Sequence, residues 1–123
     1  METKKRILIA DDDADLVLLL AHDLAGDDYE VLSAYNGADA LALAKTEDPD
    51  LILLDVMMPD LSGYHVAGEI YALRLLKPPA IIIMTGREIE DEAVLARIAG
   101  VAAVMKKPFE LKILREKIKE LLG

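Results

Sequence analysis

Residues 6–15 read RILIADDDAD, in which the apolar run Ile7–Ala10 leads directly into Asp11, Asp12 and Asp13. A short apolar run that ends at charged residues is typical of a buried β-strand that surfaces at its carboxyl end. Adjacent carboxylates repel one another and resist transfer out of water, so they lower stability unless a positive charge lies among them. The stretch therefore predicts a buried strand that ends at a cation site.

Four further short apolar runs follow along the chain, and segments with the period of a helix separate them. This alternation is typical of a parallel sheet whose two faces are covered by helices. Turn-forming residues such as Asn36-Gly37 and Pro78-Pro79 lie between the segments. The pattern predicts a doubly wound α/β fold, a five-stranded parallel sheet with helices on both faces. If the second strand lies at an edge of the sheet, the order is 2-1-3-4-5, as in flavodoxin-like folds. The predicted strands are Ile7–Ala10, Val31–Ala34, Leu51–Leu54, Ala80–Met84 and Val101–Met105, and the predicted helices cover residues 15–25, 37–46, 63–76, 90–100 and 110–123.

The composition limits the functional classes. At 123 residues the chain fits one domain, residues 1–123, which is long enough to bury a core. Its 14 basic and 23 acidic residues give a formal charge of −9. That charge repels phosphate backbones and argues against direct binding to nucleic acids or anionic membranes. A protein partner or a cation is the favoured ligand instead.

The cellular compartment is also indicated by the composition. Cysteine is absent, which excludes disulfides and thiolate metal sites and fits a reducing environment. The basic start METKKR precedes an apolar stretch of only four residues, so neither a signal peptide nor a membrane span is predicted. We therefore expect a cytoplasmic protein that does not contact membranes.

The residues that follow the predicted strands carry the chemistry, because ligands of open α/β sheets bind beyond the carboxyl ends of the strands. The first strand ends at the acids 11–13, the third at Asp55, the fourth at Thr85 and the fifth at Lys106 and Lys107. With the second strand at the edge, the other four ends lie side by side. Acids, a hydroxyl and an ammonium in one cleft predict a metal and phosphoryl site.

The residue types suggest a role for each group. Mg²⁺ prefers oxygen ligands and is typically held by one or two carboxylates and phosphate oxygens, so Asp11, Asp12 and Asp55 are its candidate ligands. Asp55 also emerges alone from the run LILLD, which favours it as a nucleophile that forms an aspartyl phosphate. Mg²⁺, the Lys107 ammonium and the Thr85 hydroxyl would stabilise the equatorial phosphoryl oxygens.

Four fragments match one known family. They are ILIADDD, LILLDVMMPDLSG, IIIMTG and KKPF, and they occur in the family's order and spacing at the predicted strand ends. One such fragment is a weak signal, whereas four together are specific. Over essentially its whole length the chain resembles the receiver domain of two-component response regulators, of the chemotaxis-regulator type.

The resemblance implies a role for each residue of the site. Asp55 corresponds to the phosphoacceptor, and Asp11 and Asp12 correspond to the acidic pair that binds Mg²⁺. The backbone carbonyl of Met57 completes the protein ligands of the ion. Thr85 matches the hydroxyl that moves toward the phosphoryl group.

The resemblance also implies a lysine that contacts the phosphoryl group, and Lys107 matches it because it directly precedes Pro108. The family usually has a cis peptide bond at this position, so Lys107-Pro108 is the candidate for one. The implied function is a signalling switch that accepts a phosphoryl group from a sensor histidine kinase or a histidine phosphotransfer protein. The switch then acts on an unknown output domain or effector protein. Self-phosphorylation from a phosphodonor and slow autodephosphorylation are the only reactions expected, so the chain is not predicted to be an enzyme.

The fifth strand departs from the family pattern. An aromatic residue usually stands three positions before the lysine, where its rotation reports phosphorylation, and here that position is Val104. Acids that often precede it are replaced by Ala102 and Ala103. Valine is stiff at χ1 and too short to swing inward. We therefore predict that the signal leaves through the loop Gly86-Arg87-Glu88 and the helix after it.

Two other functions and one local role compete with this interpretation. Haloacid-dehalogenase-like phosphohydrolases place a second acid two residues after the nucleophile, where this chain has Met57, so phosphoester turnover is disfavoured. A receiver-like protein-binding scaffold that is not controlled by phosphorylation stays open because of Val104. Asp13 is favoured as a helix N-cap over a metal ligand, and His22 and His65 are not predicted to be catalytic.

Overall fold

A five-stranded parallel sheet is the centre of the fold. The computed structural model of the chain describes residues 4–26, 28–86, 97 and 100–123. The strands lie in the order β2-β1-β3-β4-β5, which confirms the predicted fold class and strand order. The strands are β1 (Lys5–Ala10), β2 (Tyr29–Ala34), β3 (Leu51–Asp55), β4 (Ala80–Thr85) and β5 (Ala103–Lys106), and the helices are α1 (Ala14–Leu24), α2 (Gly37–Glu47), α3 (Gly63–Ala72) and α4 (Leu111–Leu122).

Both faces of the sheet are buried, because successive side chains of a strand point to opposite faces. All five residues of β3 are buried, for example. One face packs against α2 and α3, and the other packs against α1 and α4. Full burial of an aliphatic side chain contributes about 1.5–3 kcal/mol, so the three central strands supply much of the stability. None of the helices in the described ranges has the length and apolar character needed to cross a bilayer.

Several predicted boundaries were wrong; β1 and β2, for example, each begin two residues earlier than predicted, at Lys5 and Tyr29. The helix predicted for residues 63–76 ends at Ala72, because Arg74 adopts a left-handed backbone with φ 51° that cannot continue a right-handed helix. The last strand was predicted at Val101–Met105 but runs from Ala103 to Lys106, where it pairs with Ile82–Thr85 of β4.

The helix predicted at 90–100 lies outside the described residues except for Arg97 and Gly100.

Polar caps set the start of the helices that follow the first three strands. Asp13 caps α1 by accepting hydrogen bonds from the backbone N–H groups of Asp15 and Leu16 at 3.1 and 3.2 Å. Asn36 and Ser62 cap α2 and α3 in the same way. A cap satisfies N–H groups that the first helical turn leaves unpaired, so each loop is fixed directly after its strand.

Gly63 determines how the chain returns after β3. Its N–H donates to the carbonyl of Val56 at 2.9 Å. A Cβ atom at this position would lie 2.3 Å from the backbone oxygen of Asp55, which is shorter than any van der Waals contact. Only glycine therefore allows α3 to begin this close to the end of β3.

We predict that Gly63→Ala lowers the free energy of unfolding by about 2 kcal/mol, as expected for an overpacked buried site. Gly68→Ala is the matched control in the same helix, because a Cβ atom there meets nothing within 4 Å. The control should raise stability by about 0.5–1 kcal/mol, since alanine favours helix more than glycine does. Urea denaturation of both variants checks this, and equal effects would contradict the role of Gly63.

Candidate functional site

Four strand ends meet at one edge of the sheet. The strands β1, β3, β4 and β5 are neighbours, so Asp11, Asp55, Thr85 and Lys107 lie at the same end. Asp11, Asp55 and Thr85 are 0%, 5% and 1% exposed, which makes them the buried polar side chains among the described residues. Burying such groups lowers stability unless they are paired. The sheet therefore brings together the acids, hydroxyl and ammonium that the sequence predicted to share a cleft.

Lys107 supplies a positive charge among the acids. Its Nζ lies 2.6 Å from Oδ2 of Asp11 and 3.2 Å from Oδ1 of Asp55, and its backbone N–H donates to the carbonyl of Thr85 at 2.6 Å. The cis bond predicted at Lys107-Pro108 is present. The sequence predicts that a metal ion relieves the repulsion between the acids. In the structure, part of that relief comes from the lysine itself.

The acidic cluster keeps an excess of negative charge. Burial and the neighbouring charge of Asp11 raise the pKa of Asp55 to about 6, although Lys107 and the backbone N–H of Met57 lower it. For Lys107, burial lowers the pKa of the ammonium, but the hydrogen bond and charge of Asp11 and those of Asp55 raise it above its ordinary value. One ammonium therefore does not balance the carboxylates, and a further cation would be attracted to them.

The donor set fits a divalent cation. One carboxylate oxygen each from Asp11, Asp12 and Asp55 lies within 4.8 Å of the others. With Mg–O bonds of about 2.1 Å, two ligands on opposite sides of one ion lie about 4.2 Å apart, so small shifts would bring the three oxygens into one shell. Asp12 is exposed and can reach the cleft from its rim. Asp13 instead caps α1.

Met57 and Thr85 are the remaining residues that the sequence predicted to belong to the site. The N–H of Met57 bonds to the Asp55 carboxylate, and its side chain is 61% exposed, which does not resemble a packed cofactor contact. Thr85 pairs in register with Lys106 on β5. A Cβ atom on Gly86 would meet nothing within 4 Å, so the space beside Thr85 is open. The carbonyl ligand role of Met57 and the moving hydroxyl of Thr85 stay predictions.

Val104 and the loop Gly86-Arg87-Glu88 are the residues that bear on the predicted route of the signal. Val104 is half-buried and packs against the core beneath α2 and α3, in register with Ile83. Arg87 and Glu88 of the predicted relay loop lie outside the described residues. The route through that loop therefore stays a prediction.

Asp60 was missed by the sequence analysis. Its carboxylate accepts hydrogen bonds from the backbone N–H groups of Gly37 and Ala38 at 2.8 and 2.9 Å, and these bonds hold its pKa below the usual range. The loop after β3 is thereby tied to the positive N-terminus of α2. An acid beside Pro59 was a visible signal, but its partners lie 22 and 23 residues earlier in the chain.

Comparisons with known proteins agree with this geometry. The family model of the response regulator receiver domain matches residues 7–119. The alkaline phosphatase synthesis transcriptional regulatory protein PhoP of Bacillus subtilis (strain 168) is 37% identical over 118 residues, which cover 96% of this chain and 48% of that protein. The probable transcriptional regulator ycf27 of Porphyridium aerugineum is 35% identical over 119 residues, or 97% of this chain and 48% of that one.

The similarity extends to solved structures. The response regulator receiver domain protein (CheY-like) from Methanospirillum hungatei JF-1 is 32% identical, with a TM-score of 0.84 over 98% of this chain and 94% of that chain. The chain spans about half the length of the curated relatives it matches. Because the family model covers nearly the whole chain and the acids, threonine and lysine meet at one sheet edge, the chain belongs to the response regulator receiver domain family.

Proposed function

We propose that Asp55 accepts a phosphoryl group from a histidine kinase or a histidine phosphotransfer protein, and that this modification switches the chain between two binding states. The supporting observation is the buried Asp55 carboxylate, which lies 3.2 Å from the Lys107 ammonium and within reach of two further acids. A receiver domain in general is a phosphorylation-controlled switch.

In the proposed reaction, an oxygen of Asp55 attacks the phosphorus of a phosphohistidine. The bond that forms joins this oxygen to phosphorus and gives an acyl phosphate. The bond that breaks joins phosphorus to the imidazole nitrogen, which leaves with the bonding electron pair. Lys107 and the Thr85 hydroxyl would stabilise the charge that spreads over the equatorial oxygens. Asp11, Asp12, Asp55 and the Met57 carbonyl would hold Mg²⁺, which when bound supplies further charge neutralisation.

Lys107 is positioned to respond to phosphorylation of Asp55. It is shared between Asp11 and Asp55, so a phosphoryl group on Asp55 would replace one of its two carboxylate partners with a more highly charged one. Its backbone is also tied to Thr85. A shift of the ammonium would therefore be transmitted to the ends of β4 and β5.

An apolar groove borders the cleft on the α1 side. It has a volume of about 450 Å³, and the neighbouring Leu18 and Leu19 of α1 are 70% and 52% exposed. A phosphodonor protein must cover the cleft to bring its histidine to Asp55, and an apolar rim suits such a contact. We assign docking of the phosphodonor to this groove. Its lining residues are Leu16, Leu19, Leu20, Lys107, Pro108, Phe109 and Leu111.

We also propose that the chain is a cytoplasmic switch and not an enzyme. Met57 stands where a phosphohydrolase would need its second acid, so the proposed chemistry is limited to self-phosphorylation and slow autodephosphorylation. A cytoplasmic location is proposed because the proposed phosphodonors act inside the cell, and the absence of cysteine fits a reducing compartment.

The first prediction tests the phosphoacceptor. With acetyl phosphate and Mg²⁺, the parent protein should gain about 80 Da, the mass of one phosphoryl group, because a carboxylate is a competent nucleophile. Asp55→Asn should abolish the gain. Asp60→Asn, in the same loop, should keep it. Intact mass spectrometry measures this, and a phosphoryl group that maps to Asp11 or Asp60 would overturn the assignment.

The second prediction tests the metal ligands. Asp12→Asn should weaken Mg²⁺ binding about tenfold, which removes about 1.4 kcal/mol of the stabilisation at saturating Mg²⁺. Without Mg²⁺ the same variant should be as stable as the parent or more stable, because like-charge repulsion is relieved. Asp15→Asn, an exposed acid of α1, is the control. Thermal melts check this, and equal Mg²⁺ stabilisation in all three proteins would remove Asp12 from the site.

The third prediction concerns pH. The folded-state pKa of Asp55, about 6, lies above its ordinary value of 3.8. The protonated form is therefore favoured by folding, and this contribution to stability is present below about pH 4 and lost as the pH rises through 6. The loss is on the order of 2–3 kcal/mol.

Asp55→Asn removes this loss. In Mg²⁺-free thermal melts, its stability relative to the parent should increase between about pH 4 and pH 7. Asp60 provides the contrast, because its pKa is lowered and its titration falls below this window. Asp60→Asn should therefore differ from the parent by a constant amount over the same range. A parallel pH profile for Asp55→Asn and the parent would contradict the raised pKa.

A further inference from the structure

A second exposed surface lies at the opposite end of the sheet from the phosphoacceptor. It is formed by residues 71–79, which connect the end of α3 to the start of β4 and are called the 71–79 surface below. Tyr71 is 70% exposed, Leu73 is 40% exposed and Leu76 is fully exposed. Three large apolar side chains within six residues are therefore exposed to solvent.

A cavity of about 240 Å³ opens within this surface. One wall is the ring of Tyr71, which lies against Gly100 so closely that a Cβ atom there would be 2.8 Å from the ring. Sites for drug-sized ligands usually have volumes of about 300–1,000 Å³, so this cavity suits one large side chain better than an organic cofactor. Its lining includes Ile70, Tyr71, Arg74, Leu75, Pro79 and Ile81.

The charge of the 71–79 surface is opposite to that of the chain as a whole. The formal charge of the chain is −9, yet residues 70–86 contain Arg74 and Lys77 and no acid. The Arg74 guanidinium has no hydrogen bond or ion pair to any residue of the described part of the chain. Two acids of neighbouring elements are already engaged, because Glu69 pairs with His65 and Asp50 accepts from the N–H of Arg6.

Arg74 also occupies a backbone position that suits glycine. Its φ of 51° lies in the left-handed region, where a side chain costs about 1–2 kcal/mol. Glycine at this position would fold without that cost. The chain therefore holds a cationic side chain at the rim of the cavity at the expense of stability, and strain of this kind is concentrated at functional positions.

We propose that the 71–79 surface binds a partner protein through an acidic segment that inserts one large apolar side chain into the cavity. Carboxylates beside that side chain would pair with Arg74 and Lys77. An apolar anchor in a pocket supplies most of the affinity of such contacts, and the surrounding ion pairs supply orientation and selectivity. The proposal does not depend on phosphorylation of Asp55, because the two sites lie at opposite ends of the sheet.

The probe is the peptide acetyl-Glu-Leu-Phe-Asp-amide, titrated into the ¹⁵N-labelled protein and followed by amide chemical shifts. Saturable shifts are expected in residues 70–81 and at Gly100. Two matched peptides separate the contributions: acetyl-Lys-Leu-Phe-Lys-amide reverses the charge, and acetyl-Glu-Ala-Ala-Asp-amide removes the anchor. Both should bind at least roughly fivefold more weakly. Raising the ionic strength to about 1 M should also weaken binding of the acidic peptide, because the Debye length falls to about 3 Å.

Variants of the protein separate binding from folding. Arg74→Gly relieves the left-handed strain, so its Tm should equal or exceed that of the parent while its affinity for the acidic peptide falls roughly fivefold. Arg74→Glu should weaken binding more, about tenfold or greater, because it introduces repulsion. Leu18→Ser, which changes an exposed leucine of α1 outside the 71–79 surface, should leave binding unchanged.

Four outcomes of the titrations with the three peptides would overturn the proposal. They are equal binding of the acidic and basic peptides, shifts that centre on Leu18 and Leu19, unchanged affinity in Arg74→Gly, and no shifts at a peptide concentration of about 5 mM, where even weak contacts are populated. Equal binding by N-acetyl-leucine alone would assign the cavity to a small ligand instead of a protein segment, and would also overturn it.

Discussion

The ammonium of Lys107 between the carboxylates of Asp11 and Asp55 is the contact on which the site depends. Three different strands end at this point, and burial of their polar ends is tolerated because the lysine pairs with both acids. The pairing is incomplete, since one positive charge faces an excess of carboxylates. Burial and the neighbouring charge of Asp11 raise the pKa of Asp55, so a cation or a proton is drawn to the cleft.

Much of the fold and of the candidate site was predictable from the sequence, because both follow from a few short-range patterns. A buried parallel strand must be apolar on both faces, and β3 is apolar until its last residue, Asp55. The carboxyl ends of parallel strands share one edge of a sheet, so residues far apart in the chain were correctly grouped. The strand order placed Lys107 beside acids that are 52 and 96 residues away.

Other features were not readable from local patterns. Leucines at 73, 75 and 76 extend the apolar character of α3 beyond Ala72, whereas the backbone turns left-handed at Arg74 and ends the helix. The bonds of Asp60 to the start of α2 join two loops whose proximity only the folded sheet defines. The direct contact of Lys107 with both acids was likewise missed, since a side-chain distance is set by packing and not by spacing in the sequence.

Two contacts fix the loop after β3, one at Gly63 and one at Asp60, and they limit how the length of the loop can vary. Seven residues, 56–62, separate Asp55 from Gly63. Gly63 lies against the Asp55 backbone, while Asp60 is bonded to α2. An inserted or deleted residue would have to break one of these attachments or move the Asp55 carboxylate away from Lys107. Substitution of the exposed Met57 side chain is therefore compatible with the site, whereas changes in the length of the loop are not.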